Sequence, residues 1–140
     1  MVAFSAIDPV SMDVKASTTI SGVGFLLTND STNNTVDLTA DGEVCIGVSA
    51  GESSRDADGT LETTGATVSM FPLGGVMMVA SKASQTYTTG LLVYVGASGL
   101  AIDSNDASSK VLGVYVGSGE TTSSSDGDLI RVNTASHANA

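Results

Sequence analysis

The sequence predicts an all-β fold: a small single-domain β-barrel or sandwich of about nine short strands behind an extended N-terminal arm. Short runs of Val, Leu, Ile and Thr alternate with turn residues, and no apolar period of 3.6 residues persists for the length of a helix. One phrase also occurs twice, as VCIGVSAG over Val44–Gly51 and as KVLGVYVG over Lys110–Gly117. Each copy precedes a polar, glycine-bearing stretch and then a short alternating strand. We therefore expect Gly47 and Gly113 to occupy equivalent positions in related strands.

The first segment, residues 1–20, is predicted to be the extended arm. Pro9 opposes an early helix, and apolar residues here are interspersed with Asp and Ser. One edge strand within the arm is left open as an alternative. Because no local partner would bury these apolar side chains, we expect them to lie on the arm's own domain, on a neighbouring subunit or on a larger surface. The candidate contact residues are Phe4, Ile7, Pro9, Val10, Met12 and Val14. The barrel-like domain is expected over residues 21–134 and a short polar tail over 135–140.

Nine runs within the domain are predicted as strands because they alternate or are continuously apolar between turn residues. In chain order they are 23–28, 35–39, 44–49, 67–71, 76–80, 91–95, 100–102, 111–116 and 129–133. The runs 76–80 and 91–95 are so apolar that we expect them to be buried on both faces. Between the third and fourth strands, residues 52–65 form a long polar loop. Loops of this length in a compact domain are either functional or disordered. A short helix near residues 106–110 is a weaker alternative.

Composition narrows the possible partners. The chain has 140 residues, enough for one domain, but only 14% are charged, and the apolar residues are mostly small, so we expect a thin core. The net charge of −10 argues against binding a nucleic acid backbone, which requires Lys and Arg to displace counterions. It argues equally against docking on an anionic membrane.

Few residues have the chemistry of an active site. The single cysteine, Cys45, lies in an apolar run and is predicted to be packed in the core, and the single histidine, His137, lies in the tail. We therefore expect no catalytic residues, no cofactor and no assigned metal ligand. Two acidic pairs, Asp56 with Asp58 and Asp103 with Asp106, leave a bound cation open as an alternative to turn formation.

The order of the motifs resembles a known family. The strings PLGGVMMVA over residues 72–80, TGLLVY over 89–94 and GDLIRV over 127–132 follow the first phrase and its loop. In this order they resemble the small capsid decoration proteins (cement or head-stabilising proteins) of tailed bacteriophages, over residues 44–133. The resemblance implies a compact β-barrel-like head and no catalysis. It also implies a homotrimer that binds the outer capsid surface of the virion and bridges neighbouring copies of the major capsid protein.

A surface fibre or adhesin-type β module that mediates attachment is the alternative function. Such a module needs export, and the N-terminus shows neither a basic region nor a long apolar stretch. We therefore expect synthesis in the host cytoplasm, which favours the virion protein.

Overall fold

The computed structural model describes residues 8–30, 34–105 and 108–135, and over these ranges the fold is all-β, as predicted. The described residues contain twelve strands, one 3-10 turn at Ala97–Gly99 and no α-helix. The strands are β1 Val10–Asp13, β2 Leu26–Asp30, β3 Thr35–Leu38, β4 Gly47–Ser49, β5 Thr67–Pro72, β6 Val76–Ser81, β7 Thr86–Thr88, β8 Leu92–Val95, β9 Ala101–Ile102, β10 Val111–Tyr115, β11 Glu120–Thr122 and β12 Asp128–Asn133.

Ten of the twelve strands form two five-stranded lobes in tandem, and β7 and β11 pair with each other as a separate two-stranded sheet. Lobe 1, residues 10–72, has the strand order β1-β5-β4-β2-β3, and a parallel bridge between Val14 and Val36 joins its first and last strands. Lobe 2, residues 76–134, has the order β6-β12-β10-β8-β9, and the parallel pair Ser81 and Ala101 closes it into a barrel. The chain thus repeats one topology, whereas the sequence predicted one barrel.

The strand registers of the two lobes agree residue by residue. In lobe 1, Leu26 of β2 lies opposite Val48 of β4, which lies opposite Phe71 of β5. In lobe 2, the corresponding row is Leu92, Val114 and Asn133. Lys15 N–H donates to the Val36 carbonyl (2.9 Å), and Lys82 N–H donates to the Ala101 carbonyl (3.0 Å). The duplication therefore extends through all five strands of each lobe, and among the described residues the β7–β11 pair has no corresponding strand pair in lobe 1.

The two glycines of the repeated phrase lie at equivalent points where two neighbouring strands approach closely. This confirms the prediction for Gly47 and Gly113. A Cβ atom on Gly47 would lie 2.6 Å from the Phe71 carbonyl oxygen. One on Gly113 would lie 2.9 Å from the Asn133 carbonyl carbon and closer still to its oxygen. Since both contacts are with backbone on the neighbouring strand, only glycine allows the strands to pair this closely.

A second equivalence involves two buried serines. The Ser53 hydroxyl accepts a hydrogen bond from Ile20 N–H (3.0 Å), and Ser53 N–H donates to the Ile20 carbonyl (2.8 Å). Ser123 does the same with Gln85, at 2.9 and 2.8 Å. Each serine therefore holds the loop after the repeated phrase against the segment that follows the first strand of its lobe.

The N-terminal segment does not behave as a free arm over its described residues. Residues 10–13 form β1, which pairs antiparallel with β5 at the edge of lobe 1. Val14 and Ile20 are buried in the core of lobe 1, together with Val36 and Val68. Of the alternatives for the N-terminal segment, residues 10–20 follow the first: they include one edge strand and are buried against their own domain, by strands far along the chain. Phe4 and Ile7 lie outside the described residues.

The lobes share one apolar boundary. Three buried side chains of lobe 1, Leu26, Cys45 and Val48, pack in the same cluster as the core of lobe 2. Backbone and side-chain hydrogen bonds reinforce the contact: Ala80 N–H donates to the Gly24 carbonyl (2.8 Å), and the Thr39 hydroxyl donates to the Gly96 carbonyl (3.0 Å). Lobe 1 therefore presents two apolar faces, one to its own core and one to lobe 2.

Candidate interaction surfaces

The reactive side chains of the described residues are used in packing. Cys45 is buried and its thiol donates to the Gly47 carbonyl (3.2 Å), as the prediction of a packed cysteine requires. Burial raises the pKa of this thiol to about 12, so the nucleophilic thiolate is disfavoured at neutral pH. Burial likewise raises the pKa of Tyr87 to about 12, and its hydroxyl lies 2.6 Å from the Ser81 hydroxyl. The side chains of Cys45 and Tyr87 are therefore part of the packed core.

The acidic pairs form turns and strand contacts. One oxygen of Asp56 accepts hydrogen bonds from the backbone N–H groups of Asp58 (2.9 Å) and Thr60 (3.1 Å), which is an Asx-type turn. The Asp103 carboxylate accepts from Thr86 N–H (2.7 Å), and Asp106 lies outside the described residues. Within residues 8–30, 34–105 and 108–135, no group of three or more His, Cys, Asp or Glu side chains is arranged to hold a metal ion.

No helix in the described ranges is long and apolar enough to cross a membrane.

The outer face of lobe 2 is an exposed apolar surface. Because residues paired across antiparallel strands point to the same side, Leu92, Val114, Asn133 and Val76 form one row across β8, β10, β12 and β6. Their chain neighbours Val93, Tyr115 and Val132 are buried, so this row faces outward. Val76 is 58% exposed and Leu92 is 36% exposed, and Leu91 beside the row is 61% exposed. We call this surface the lobe 2 face.

This face shows that one sequence prediction was wrong. The runs 76–80 and 91–95 were expected to be buried on both faces, but Val76, Met78, Leu91 and Leu92 are exposed. The opposite residues of the same strands, Val79, Val93 and Val95, fill the core of lobe 2 as expected. The strands are thus apolar on both sides, and only one side is covered within the described chain.

The equivalent face of lobe 1 is covered. Leu26 is fully buried and Val48 is nearly so, and they are the counterparts of Leu92 and Val114. The covering element is lobe 2 of the same chain, through the apolar cluster at the lobe boundary. The same position of the same fold is therefore an interface in lobe 1, whereas in lobe 2 none of the described residues covers it.

A cleft of about 590 Å³ opens beside the lobe boundary. It is lined by Val23, Val48, Phe71, Val76, Met77 and Met78, together with Ser49 and the Gly74-Gly75 linker. Val76 belongs to both the cleft and the lobe 2 face. The cleft at the lobe boundary therefore adjoins the lobe 2 face at Val76.

The N-terminal contact residues that are described divide into two groups. Pro9 and Val10 are exposed, with Val10 at 43%, and Met12 is partly buried against the core of lobe 1. Val14 is 4% exposed, so its assignment as a capsid contact was wrong. The exposed part of β1 lies at the edge of a sheet, where strands commonly pair with other chains.

Comparison with solved structures shows a similar fold in a bacteriophage protein. The chain is similar to the head fiber gp8.5 N base of bacteriophage phi29, with a TM-score of 0.61 and 21% sequence identity. The match covers 94% of this chain and 98% of that chain, so it includes both lobes. At this level of identity the likeness shows the fold. No protein-family model and no curated protein matches the sequence.

Proposed function

We propose that this protein is a non-catalytic structural protein of a bacteriophage virion, bound to the outer surface of the head. The observation that carries the proposal is the fold shared with a phage head fiber base over almost the full length of both chains. The motif resemblance to capsid decoration proteins over residues 44–133 points to the same location independently. The use of Cys45 and Tyr87 in packing also favours a structural role.

The protein binds through apolar surfaces and reinforces the head by bridging neighbouring major capsid proteins. The N-terminal residues Phe4, Ile7, Pro9 and Val10 contact the capsid, and the protein associates with itself as a homotrimer. Three weak contacts held together bind a shell far more tightly than one, because each contact after the first is effectively intramolecular. The chain's acidic charge keeps it soluble before it binds.

Heads of the phage that encodes this protein should fail at a lower temperature once stripped of it, and adding it back should restore the original failure temperature. The physical reason is that a ligand of the assembled shell stabilises that shell by mass action. DNA release during a temperature ramp is the measurement. Stripped and decorated heads that release DNA at the same temperature would contradict the reinforcing role.

The double variant Phe4→Ser, Ile7→Ser tests the capsid contact, with Val44→Ser as the matched control. Val44 is an exposed apolar residue of lobe 1 outside the N-terminal segment. We expect the double variant to occupy fewer sites on the head and the control to bind normally. Deleting residues 1–20 is not a suitable test, because it removes β1 and two core residues, Val14 and Ile20.

A second candidate function is the base of a head fibre, which would be an attachment structure. The observation that favours it is the similarity in fold to the base of a head fiber. Bound protein that carries a projecting fibre, on heads whose failure temperature does not depend on it, would favour this function over reinforcement.

A further inference from the structure

We propose that the lobe 2 face binds the free edge of β1 in lobe 1 of a second copy of this chain. The contact would repeat between molecules the contact that joins lobe 1 to lobe 2 within one molecule. This inference deepens the proposed self-association and names the surfaces that perform it. Its test is made in solution, so its outcome is separate from whether the protein binds a phage head.

The contact within one molecule has two halves. Lobe 1 contributes the Gly24 carbonyl and the side chains of Leu26 and Val48, and lobe 2 contributes the edge of β6, where Ala80 N–H donates to Gly24 (2.8 Å). The approach is close: a Cβ atom on Gly24 would lie 2.8 Å from a methyl carbon of Leu129 and 2.9 Å from the Ala80 nitrogen. The outer face of one lobe thus fits the first-strand edge of another lobe of the same fold.

Lobe 2 contains the counterpart of the lobe 1 side of this contact, and none of the described residues packs against it. Gly90 corresponds to Gly24: each donates its N–H to the residue at the end of its lobe's middle strand, Tyr115 or Ser49. Their φ angles are 87° and 86°. Gly90 is exposed, however, and a Cβ atom placed on it would meet nothing within 4 Å. The exposed Leu92 stands where lobe 1 has the buried Leu26, so the docking element is present and uncovered.

Lobe 1 contains the counterpart of the lobe 2 side of this contact, which is the edge of its first strand, β1. Since Val14 and Ser81 make equivalent parallel bridges, Asp13 of β1 corresponds to Ala80 of β6. Val14 N–H donates toward β5, at the Ala66 carbonyl (2.9 Å). Successive N–H groups along a strand point to opposite sides, so Asp13 N–H points to the outer edge of β1. This group is the counterpart of the Ala80 donor, and the Gly90 carbonyl of a second copy is its matching acceptor.

The occupant is a second copy because β1 repeats the strand position of β6, which packs within the chain against the equivalent face of lobe 1. The two surfaces are different, so the contact is heterologous, and it forms a closed ring or an open chain according to the rotation between copies. A rotation of one third of a turn gives the homotrimer proposed above. Pro9 and the residues before it remain available to the capsid, since the contact uses the other end of β1.

A complementation experiment tests this geometry. Leu92→Asp blocks the lobe 2 face, and Asp13→Pro removes the outward N–H of β1 while leaving the pairing with β5, as proline is tolerated at such edges. In sedimentation velocity, the unmodified chain should form oligomers, and each variant alone should self-associate at least about 30-fold more weakly, as expected for loss of a central contact. An equimolar mixture of the two variants should form a dimer and no larger species, because one intact pair of surfaces remains.

Val44→Asp is the control, since it places a charge on an exposed valine outside both surfaces, and it should leave association unchanged. Circular dichroism of each variant establishes that it is folded. An unmodified chain that stays monomeric at millimolar concentration would overturn the inference, as would a mixture of folded variants that stays monomeric. Undiminished association of Asp13→Pro would also overturn it, because the contact would not use the β1 edge.

Discussion

Replacing Gly113 with alanine is expected to destabilise the protein by about 3 kcal/mol or more, at the upper end of the cost of overpacking a well-packed interior. The added Cβ atom would lie 2.9 Å from both the Asn133 carbonyl carbon and a methyl carbon of Val132. The obstacle is largely backbone, so no side-chain rotation relieves it. Strands β10 and β12 would have to separate, and the barrel of lobe 2 would open at that pair.

Gly51→Ala is the matched control for this substitution. Gly51 ends the first copy of the repeated phrase, and a Cβ atom placed there would meet nothing within 4 Å. Neither Gly51 nor Gly113 has a positive φ, so the comparison isolates the close approach. The free energy of unfolding of Gly51→Ala, from urea titration, should lie within about 0.5 kcal/mol of the unmodified protein. Equal losses for both variants would contradict the packing described for the repeat.

Leu26→Ala is expected to cost about 3 kcal/mol, within the range for deleting a fully buried leucine side chain. Leu26 is 0% exposed and packs with Val48 and the core of lobe 2, so its removal leaves a cavity at the lobe boundary. Because that boundary couples the two lobes, unfolding should also become less cooperative. Thermal unfolding followed by calorimetry should then broaden or divide into two transitions.

Leu92→Ala is the natural control, because Leu92 occupies the same position in lobe 2 and is 36% exposed. At concentrations where the protein is monomeric, this variant should lose less than about 1 kcal/mol, as is usual for a partly exposed side chain. The pair of substitutions therefore separates the covered face from the uncovered one. If Leu92→Ala is as costly as Leu26→Ala in the monomer, the lobe 2 face is not the free surface described.

Strand prediction from sequence succeeded where apolar periodicity is strong. All nine runs predicted as strands correspond to strands, with boundaries shifted by a few residues. Strands β7 and β11 were not predicted, because Thr86–Thr88 and Glu120–Thr122 are polar and short. Among the described residues they pair only with each other, and a ribbon whose one core residue is Tyr87 produces no alternating apolar pattern.

The duplication was only partly visible in the sequence. The repeated phrase revealed that β4 is equivalent to β10 and β5 to β12. Close contact within each of these strand pairs requires glycine, so the glycine is present in both copies. The other equivalent positions differ in residue type: Leu27 matches Val93, and Ile20 matches Gln85. Ser53 and Ser123 each contact backbone groups, through one hydroxyl and one N–H, so they leave little pattern beyond one polar residue in a loop.

The candidate surface was the least predictable feature. An apolar strand face looks the same in the sequence whether it is covered by its own chain or left free, so the exposure of Val76 and Leu91 was missed. For Val14 and Ile20 the sequence left open which surface buries them, because their partners, Val36 and Ala66, lie far along the chain. Burial depends on non-local contacts in both cases.

The most direct test is a reconstruction by electron cryomicroscopy of heads of the phage that encodes this protein, with and without the protein bound. The proposed function predicts two-lobed density on the outer surface of the shell that spans neighbouring capsid subunits and has the N-terminal end of lobe 1 against the shell. This density should be absent from stripped heads. Identical shell surfaces in the two reconstructions would contradict the proposed function, and so would density confined to the tail.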